Sequence, residues 1–258
     1  MYENDFWMTI PKMVKNRCLK EIFCLSKCGL AISEMMAKEY TDKFNIPFYP
    51  LMNCVDIPNK EDRAISAEIL ATKSNNLFVY CGGLHLNRWK SLLLLCDAIL
   101  KFGYSQRIQF CIYTKAEDWL QYGNYFSQYE FVIYKGFISN HELYKKLDRF
   151  DVLVHVESFD EQVIKYTRLS ISTKIPEYLS KKKIILALGP KGIASIEYLR
   201  SNDAAIIIDD LNIEVIKEKL EKLIYSRNDD IKNNSYYLFL KNHTKQNQFE
   251  LLNKILTH

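Results

Sequence analysis

From about residue 75 to residue 225 the sequence alternates between short apolar runs and helical stretches. No other feature constrains the fold as much. "NLFVYCGG" is an apolar run stopped by two glycines. "RWKSLLLLCDAILKFG" follows as a helix ending at Gly103, a residue suited to the left-handed position after a helix. Then come a strand "IQFCIYT", a weak helix around Glu117 to Gln121, and a strand "EFVIYKG". The helix "SNHELYKKLDRF" has Ser139 or Asn140 as its cap and Glu142 in its first turn. The strand "DVLVHVES" leads to the helix "TKIPEYLS", the strand "KIILALG", the helix "IASIEYLRS" and the strand "AAIIID". In "IEVIKEKLEKLIY" the spacing of Ile213, Ile216, Leu220, Leu223 and Ile224 marks one buried helix face. Short β-branched strands of this kind are covered on both faces. The expectation is therefore an α/β fold, a doubly wound, Rossmann-like parallel sheet with right-handed crossovers. Ligands of such sheets bind beyond the carboxyl ends of the strands.

The flanks differ. "CGLAISEMMAKEYTDKF" reads as one strand and one helix, with Ser33 as cap and Met36 and Tyr40 facing inward. "IPFYPLMNCVDIPNK" reads as an extended, proline-bounded connector. After "SRNDD" a terminal helix is expected, using Tyr236, Phe239, Leu240, Phe249 and Leu252 as apolar contacts. Three parts follow: 1–60, too short for a full domain; 61–227, the Rossmann-like unit; and 228–258, a helix packing back on the N-terminal part.

Composition narrows the function classes. A formal charge of +4 with scattered lysines excludes a nucleic-acid binder's basic face. The run Lys181 to Lys183 reads as a solvated turn, and a weak attraction to an anionic membrane surface stays open. The 7 cysteines are odd in number and match no zinc spacing. Cys81, Cys96 and Cys111 lie in apolar runs as small hydrophobes, which fits a reducing cytoplasm. Residues 1–30 do not read as a signal peptide, and no stretch reaches the roughly 18 apolar residues of a spanning helix.

The strand ends carry the candidate chemistry. Gly82 and Gly83 let a phosphate approach the backbone, the next helix offers its first amides, and Arg88 adds a forked cation. Gly136 and Phe137 are placed to frame a flat base by backbone hydrogen bonds and stacking. His155 and Glu157 share a strand face, His155 as a hydrogen-bonded core residue. In "STKIPEYLSKKKIILALGP", Lys174 and Glu177 are neighbours on one helix face, with Pro176 tolerated in the first turn. As an exposed ion pair they would contribute at most about 1 kcal/mol. At a ligand crevice, Lys174 instead suits a diphosphate oxygen and Glu177 a ribose diol. The G-x-G-x-x-G, P-loop, D-x-D and G-x-S-x-G patterns are all absent from the sequence. That leaves no dinucleotide, triphosphate, metal-clamp or serine-hydrolase fingerprint.

"STKIPEYLSKKKIILALGP" resembles the K-x-x-E-Y-L-A-x-G-K-P-I-L-A segment of B-type (GT-B) glycosyltransferases, especially glycosyltransferase family 4. "YCGGLHLNRWKSL" resembles their first donor-domain strand and phosphate turn, and "AISEMMAKEYTDKFNIPFYPLMNCVD" the end of their N-terminal domain and its connector. The resemblance implies the C-terminal donor-binding half, with residues 1–60 as a remnant of the acceptor domain. It implies a nucleotide-diphosphate sugar bound without metal or other cofactor, Glu177 on the ribose, Arg88 and Lys174 on the diphosphate, and Gly136 to Ile138 around the base. Transfer would retain anomeric configuration, the diphosphate leaving on the face attacked and the basic pair stabilising its charge. Where members carry a first glutamate eight positions before the second, this chain has Leu169, with Glu157 or Ser172 as the substitutes. The donor-binding set implied is Gly82, Gly83, Arg88, Gly136, Phe137, Ile138, Glu157, Ser172, Thr173, Lys174 and Glu177, with no catalytic residue assigned. The expected partners are the nucleotide sugar, a glycan or lipid-linked acceptor, and a chain supplying the missing acceptor domain. The expected setting is polysaccharide or surface-glycan assembly, in the cytoplasm or at the inner face of its membrane. The rivals are a non-catalytic nucleotide-sugar-binding or interaction module and a nucleotide-sugar epimerase-like protein.

Overall fold

The structure, a computed structural model, describes residues 11–56 and 76–257. The expected boundary at residue 60 and the end of the connector lie outside the described residues, as does the start of the 1–30 segment. The described residues begin with α1 (Lys12–Cys24), β1 (Gly29–Ala31), α2 (Glu34–Phe44) and β2 (Phe48–Pro50). Then follow β3 (Asn76–Cys81), α3 (Arg88–Lys101), β4 (Ile108–Tyr113), α4 (Ala116–Tyr122), β5 (Val132–Tyr134) and α5 (Asn140–Lys146). The remainder is β6 (Val152–Val156), α6 (Glu161–Thr167), α7 (Lys174–Ser180), β7 (Ile184–Leu188), α8 (Ala194–Ser201), β8 (Ile206–Ile208), α9 (Ile213–Tyr225), α10 (Asp229–Asn242) and α11 (Lys245–Thr257).

β3 to β8 form one parallel sheet in the order β5-β4-β3-β6-β7-β8. The order reverses between β3 and β6, where Val79 pairs with Leu153 and Tyr80 with Val154. Alternation along β3 divides the core. Phe78 and Tyr80 point into one layer with Leu92, Leu95 and Ile99 of α3 and Ile216, Leu220 and Leu223 of α9. Val79 and Cys81 point into the other, with Leu143 of α5, Ile175, Tyr178 and Leu179 of α7, Ile196 and Leu199 of α8, and Leu238 and Phe239 of α10. Each such Leu or Ile contributes about 1.5–3 kcal/mol through burial. Ser139 caps α5 by accepting the Glu142 amide at 3.3 Å, and Gly103 has φ +72 just past α3. Both features agree with the sequence pattern.

The N-terminal strands β1 and β2 pair in parallel around α2, so the stretch Phe48–Pro50 is a strand and not plain connector. Ser33 caps α2 through the Met36 amide at 3.0 Å and donates at 2.6 Å to the Leu169 carbonyl. Gly29 is required, because a Cβ there would lie 2.2 Å from the Phe48 ring. Phe48 packs with Phe23, Tyr40 and Phe44 into a small aromatic core that also holds Met36.

Four expectations change. α1 and α6 form where no helix was anticipated. α6 starts because Asp160 accepts the Gln162 amide at 2.9 Å. Lys181 is buried and not solvated: its Nζ lies 2.9 Å from Asp148 Oδ2 and 3.5 Å from the Tyr144 ring centroid. The turn beyond it reverses the chain at Lys182, with φ +53. The terminal helix is two helices, because Thr244 Oγ1 accepts the Asn247 amide and caps a new start. Tyr236 and Phe239 pack in the core as expected, but Leu240 is exposed, and Phe249 on α11 is 64% exposed.

The break between α10 and α11 holds the connector. The Val55 amide donates to the His243 carbonyl at 3.0 Å, and the Met52 amide to Gln248 Oε1 at 3.0 Å. His243 is fully buried. Its Nδ1 donates to the Asn53 carbonyl at 2.7 Å, leaving Nε2 to accept from the Tyr198 hydroxyl at 2.8 Å. Burial lowers its pKa from 6.5, partly opposed by the Asn53 carbonyl. The folded state thus binds a proton less readily than the unfolded chain. This stability contribution is complete above about pH 6.5 and shrinks as pH falls through and below that value. The urea midpoint should therefore drop between about pH 7.5 and pH 6, and drop less in His243→Gln. An equal drop in both proteins would contradict the assignment.

Candidate functional site

The open site lies beyond the carboxyl ends of β3, β4 and β5, on one side of the switch point. It is a cavity of about 530 Å³ walled by residues following each of those strands, together with Lys174 of α7. Among the expected residues, Gly82, Gly83, Phe137, Ile138 and Lys174 line it; Arg88, Gly136, Glu157, Ser172, Thr173 and Glu177 do not.

The turn after β3 is more occupied than its glycines suggest. The Tyr80 hydroxyl donates to the Gly83 carbonyl at 2.7 Å, and the Gly82 amide to the Tyr113 carbonyl at 3.1 Å. A Cβ on Gly83 would lie 2.2 Å from the His85 ring, so glycine is needed there for the imidazole to fold over the turn. Leu86 and Asn87 both take positive φ, 57° and 56°, an uncommon pair of left-handed non-glycine residues. The first amides of α3 are already used: Arg88 donates to the His85 carbonyl, Trp89 to that of Leu84 and Lys90 to that of Asn87. These amides are therefore not free for a phosphate, contrary to the expectation from sequence.

Arg88 instead reaches across the switch point, with Nη2 at 3.6 Å from Glu157 Oε2. Asn87 makes a parallel link, its Nδ2 donating to Asp160 Oδ2 at 2.9 Å. Glu157 is buried beside His155, whose Nε2 lies 3.2 Å from Oε1 but off the hydrogen-bond axis. Burial pushes the Glu157 carboxyl up, yet His155, Arg88 and Ser195 together hold it below its usual range. It therefore stays anionic and neutralises Arg88. His155 is a core residue, as the sequence suggested, though its partner is a charge and not an aligned hydrogen bond.

Lys174 and Glu177 are brought together. Nζ of Lys174 lies 3.1 Å from Glu177 Oε2 and 2.7 Å from Asn140 Oδ1. The two side chains are only 19% and 12% exposed, so this is no loose surface pair. Burial raises the Glu177 pKa, opposed by Lys174 and Lys181. The α7 start is fixed from behind: the Lys174 amide donates to Ser172 Oγ at 3.3 Å, and the Ser172 amide to Ser195 Oγ at 3.2 Å. Pro176 is buried in the first turn, and Thr173 is exposed and makes no side-chain cap.

The side expected from sequence to face a base is built by the β5–α5 loop. Gly136 has φ +75, and its carbonyl accepts the Thr114 amide at 3.1 Å. That carbonyl serves the protein's own loop. Ile138 packs on the core, whereas Phe137 is 70% exposed at the cavity edge. Cys81 completes the inner wall as a thiol, burial pushing its pKa to about 12.

Sequence reasoning missed His85 and Asp118. Asp118 Oδ2 accepts the Leu84 amide at 2.8 Å, the Thr114 hydroxyl at 3.3 Å and His85 Nδ1 at 3.4 Å. A histidine two positions after paired glycines was the only available signal, because its partner lies on the next strand-helix unit.

No family profile and no curated protein matches the chain. Solved structures do. The chain is similar to HepE of Anabaena, solved with UDP and glucose, with a TM-score of 0.69 and 12% identity over 96% of this chain and 67% of that one. It is similar to a glycosyltransferase from Rickettsia africae, with a TM-score of 0.67 and 14% identity over 95% and 66%. It is also similar to the trehalose-6-phosphate synthase OtsA, with a TM-score of 0.70 and 10% identity over 93% and 62%. At these identities the likeness is one of fold: the chain has the Rossmann-like architecture of B-type glycosyltransferases and spans about two thirds of the neighbours' length.

Proposed function

We propose that the chain is the donor-binding half of a glycosyltransferase that takes a nucleotide-diphosphate sugar. The observation that carries this reading is the part-buried Lys174–Glu177 pair, in which Lys174 lines the 530 Å³ cavity and Glu177 sits against it. A carboxylate and a cation held side by side match a ribose diol and a diphosphate. The base would lie against Phe137 and Ile138, the ribose hydroxyls would donate to Glu177, and Lys174 would turn from Glu177 to a diphosphate oxygen. Arg88 would join once the diphosphate competes with Glu157. As the sugar–oxygen bond breaks, these cations would stabilise charge growing on the leaving diphosphate, with retention and without a metal clamp. The acceptor would be a glycan or lipid-linked sugar in surface-polysaccharide assembly.

The reading extends to the chain's organisation and setting. Residues 1–60 would belong to the acceptor side, 61–227 to the donor domain and 228–258 to the helices holding the connector. Seven free cysteines favour a reducing cytoplasm, with peripheral contact at the membrane's inner face. No described helix is long and apolar enough to cross a membrane. One observation favours a second reading, a binding module without turnover: the first amides of α3 and the Arg88 side chain are engaged within the protein.

A thermal-shift screen of nucleoside diphosphates and their sugars tests the site. A ligand at a hundred times its Kd stabilises by about 2.7 kcal/mol. In a chain of this size that is a shift of about 5–10 °C. No shift with any of them would contradict the reading. Transfer or hydrolysis by the isolated chain would then separate the enzyme from the module.

A further inference from the structure

His85 is the group that the binding scheme above leaves unused. Its ring lies over Gly83, lines the cavity, and is held through Nδ1 by Asp118, itself fixed by the Leu84 amide and the Thr114 hydroxyl. We propose that His85 is a third cationic contact for the donor's diphosphate, active only when its imidazole is protonated, with Asp118 as its positioning residue. This rests on the nucleotide-sugar reading of the cavity.

The chemistry follows from the two ring nitrogens. With Nδ1–H donating to Asp118, Nε2 of the neutral ring is an acceptor and would repel a phosphate oxygen. Taking one proton from solvent turns Nε2 into a donor, and histidine is the side chain that makes this change near neutral pH. The surrounding charges are Asp118, Glu117 and Lys115 at the β4–α4 junction, Lys174 on α7, and Arg88 at the start of α3. The β5–α5 loop and the start of α5 contribute the uncharged Phe137, Ile138, Asn140 and Leu143. A bound diphosphate would favour the cation. The position explains why Gly83 must lack a side chain: the glycine makes room for the imidazole and not directly for the phosphate.

Calorimetric titrations with UDP-glucose, ADP-glucose and GDP-glucose between about pH 8 and pH 5.5 test this. A diphosphate diester keeps constant charge over that window, so a slope belongs to the protein. The protein should bind at least one of the three about tenfold tighter at the acid end, the value of one added charge-assisted hydrogen bond. His85→Gln should flatten the profile, leaving the weaker affinity at every pH. Asp118→Asn should reduce the slope, because the imidazole loses the carboxylate that holds it over the turn. Uridine, adenosine and guanosine, lacking the diphosphate, should show no slope. Measurable binding with a flat profile, or an equal slope in His85→Gln or with the nucleosides, overturns this proposal alone. No binding at any pH overturns the cavity reading and this proposal with it.

Discussion

Lys174→Ala is expected to weaken nucleotide-sugar binding by about a hundredfold, close to 3 kcal/mol. Two losses combine. The diphosphate forfeits a charge-assisted hydrogen bond that is largely shielded from water. Glu177 forfeits its counter-ion while buried, and burial already raises its pKa. Without Lys174 the carboxyl moves further toward its neutral form, which binds a diol less well. Glu177→Ala removes the proposed ribose contact along with the ion pair to Lys174, but leaves no buried charge unpaired, and should cost less, about tenfold to thirtyfold. The double variant should fall short of the product of the two single effects, because the residues act on each other. Free nucleosides should respond more to Glu177→Ala than to Lys174→Ala. Calorimetry on the three variants checks this, and a change of under twofold in Lys174→Ala would remove the diphosphate role.

The second large effect concerns stability. Phe239→Ala is expected to cost about 3–5 kcal/mol in urea denaturation. Phe239 is fully buried among side chains of α7, α8 and β7. Its loss would leave a cavity under the helix that carries Lys174 and Glu177. Binding should therefore weaken as well, although Phe239 touches no ligand. Phe249→Ala on the neighbouring helix α11 should change stability by under about 0.5 kcal/mol, since that ring is 64% exposed. Similar costs for both would mean that α10 is not part of the main cooperative unit.

The sheet was legible because parallel strands covered on both faces leave unbroken apolar runs. "IILAL" and "VLVHV" could hardly be anything else, and both are wholly buried strands. α1 was not legible, since its Met13, Val14 and Ile22 are exposed and make no clean apolar stripe. α6 was hidden because it is short and fixed by a cap more than by burial. Within the site, Lys174 and Glu177 were readable because a helix makes near neighbours of residues three apart. Arg88 was readable as a cation at a strand end, but its engagement by Glu157 depends on the β3–β6 adjacency. The His85–Asp118 contact needs the β3–β4 register, in which Cys81 lies beside Tyr113, and no local pattern supplies that. Lys181 illustrates the limit of composition: one residue of a lysine run is folded under Tyr144 while its neighbour stays outside.

The most direct test of the central claim is a crystal structure of the chain with a nucleotide sugar bound. The prediction is that the ribose hydroxyls lie within hydrogen-bond reach of the Glu177 carboxylate, the diphosphate touches Lys174 Nζ, and the base rests by Phe137 and Ile138. A nucleotide seated anywhere else, with Lys174 and Glu177 still paired to each other, would contradict it.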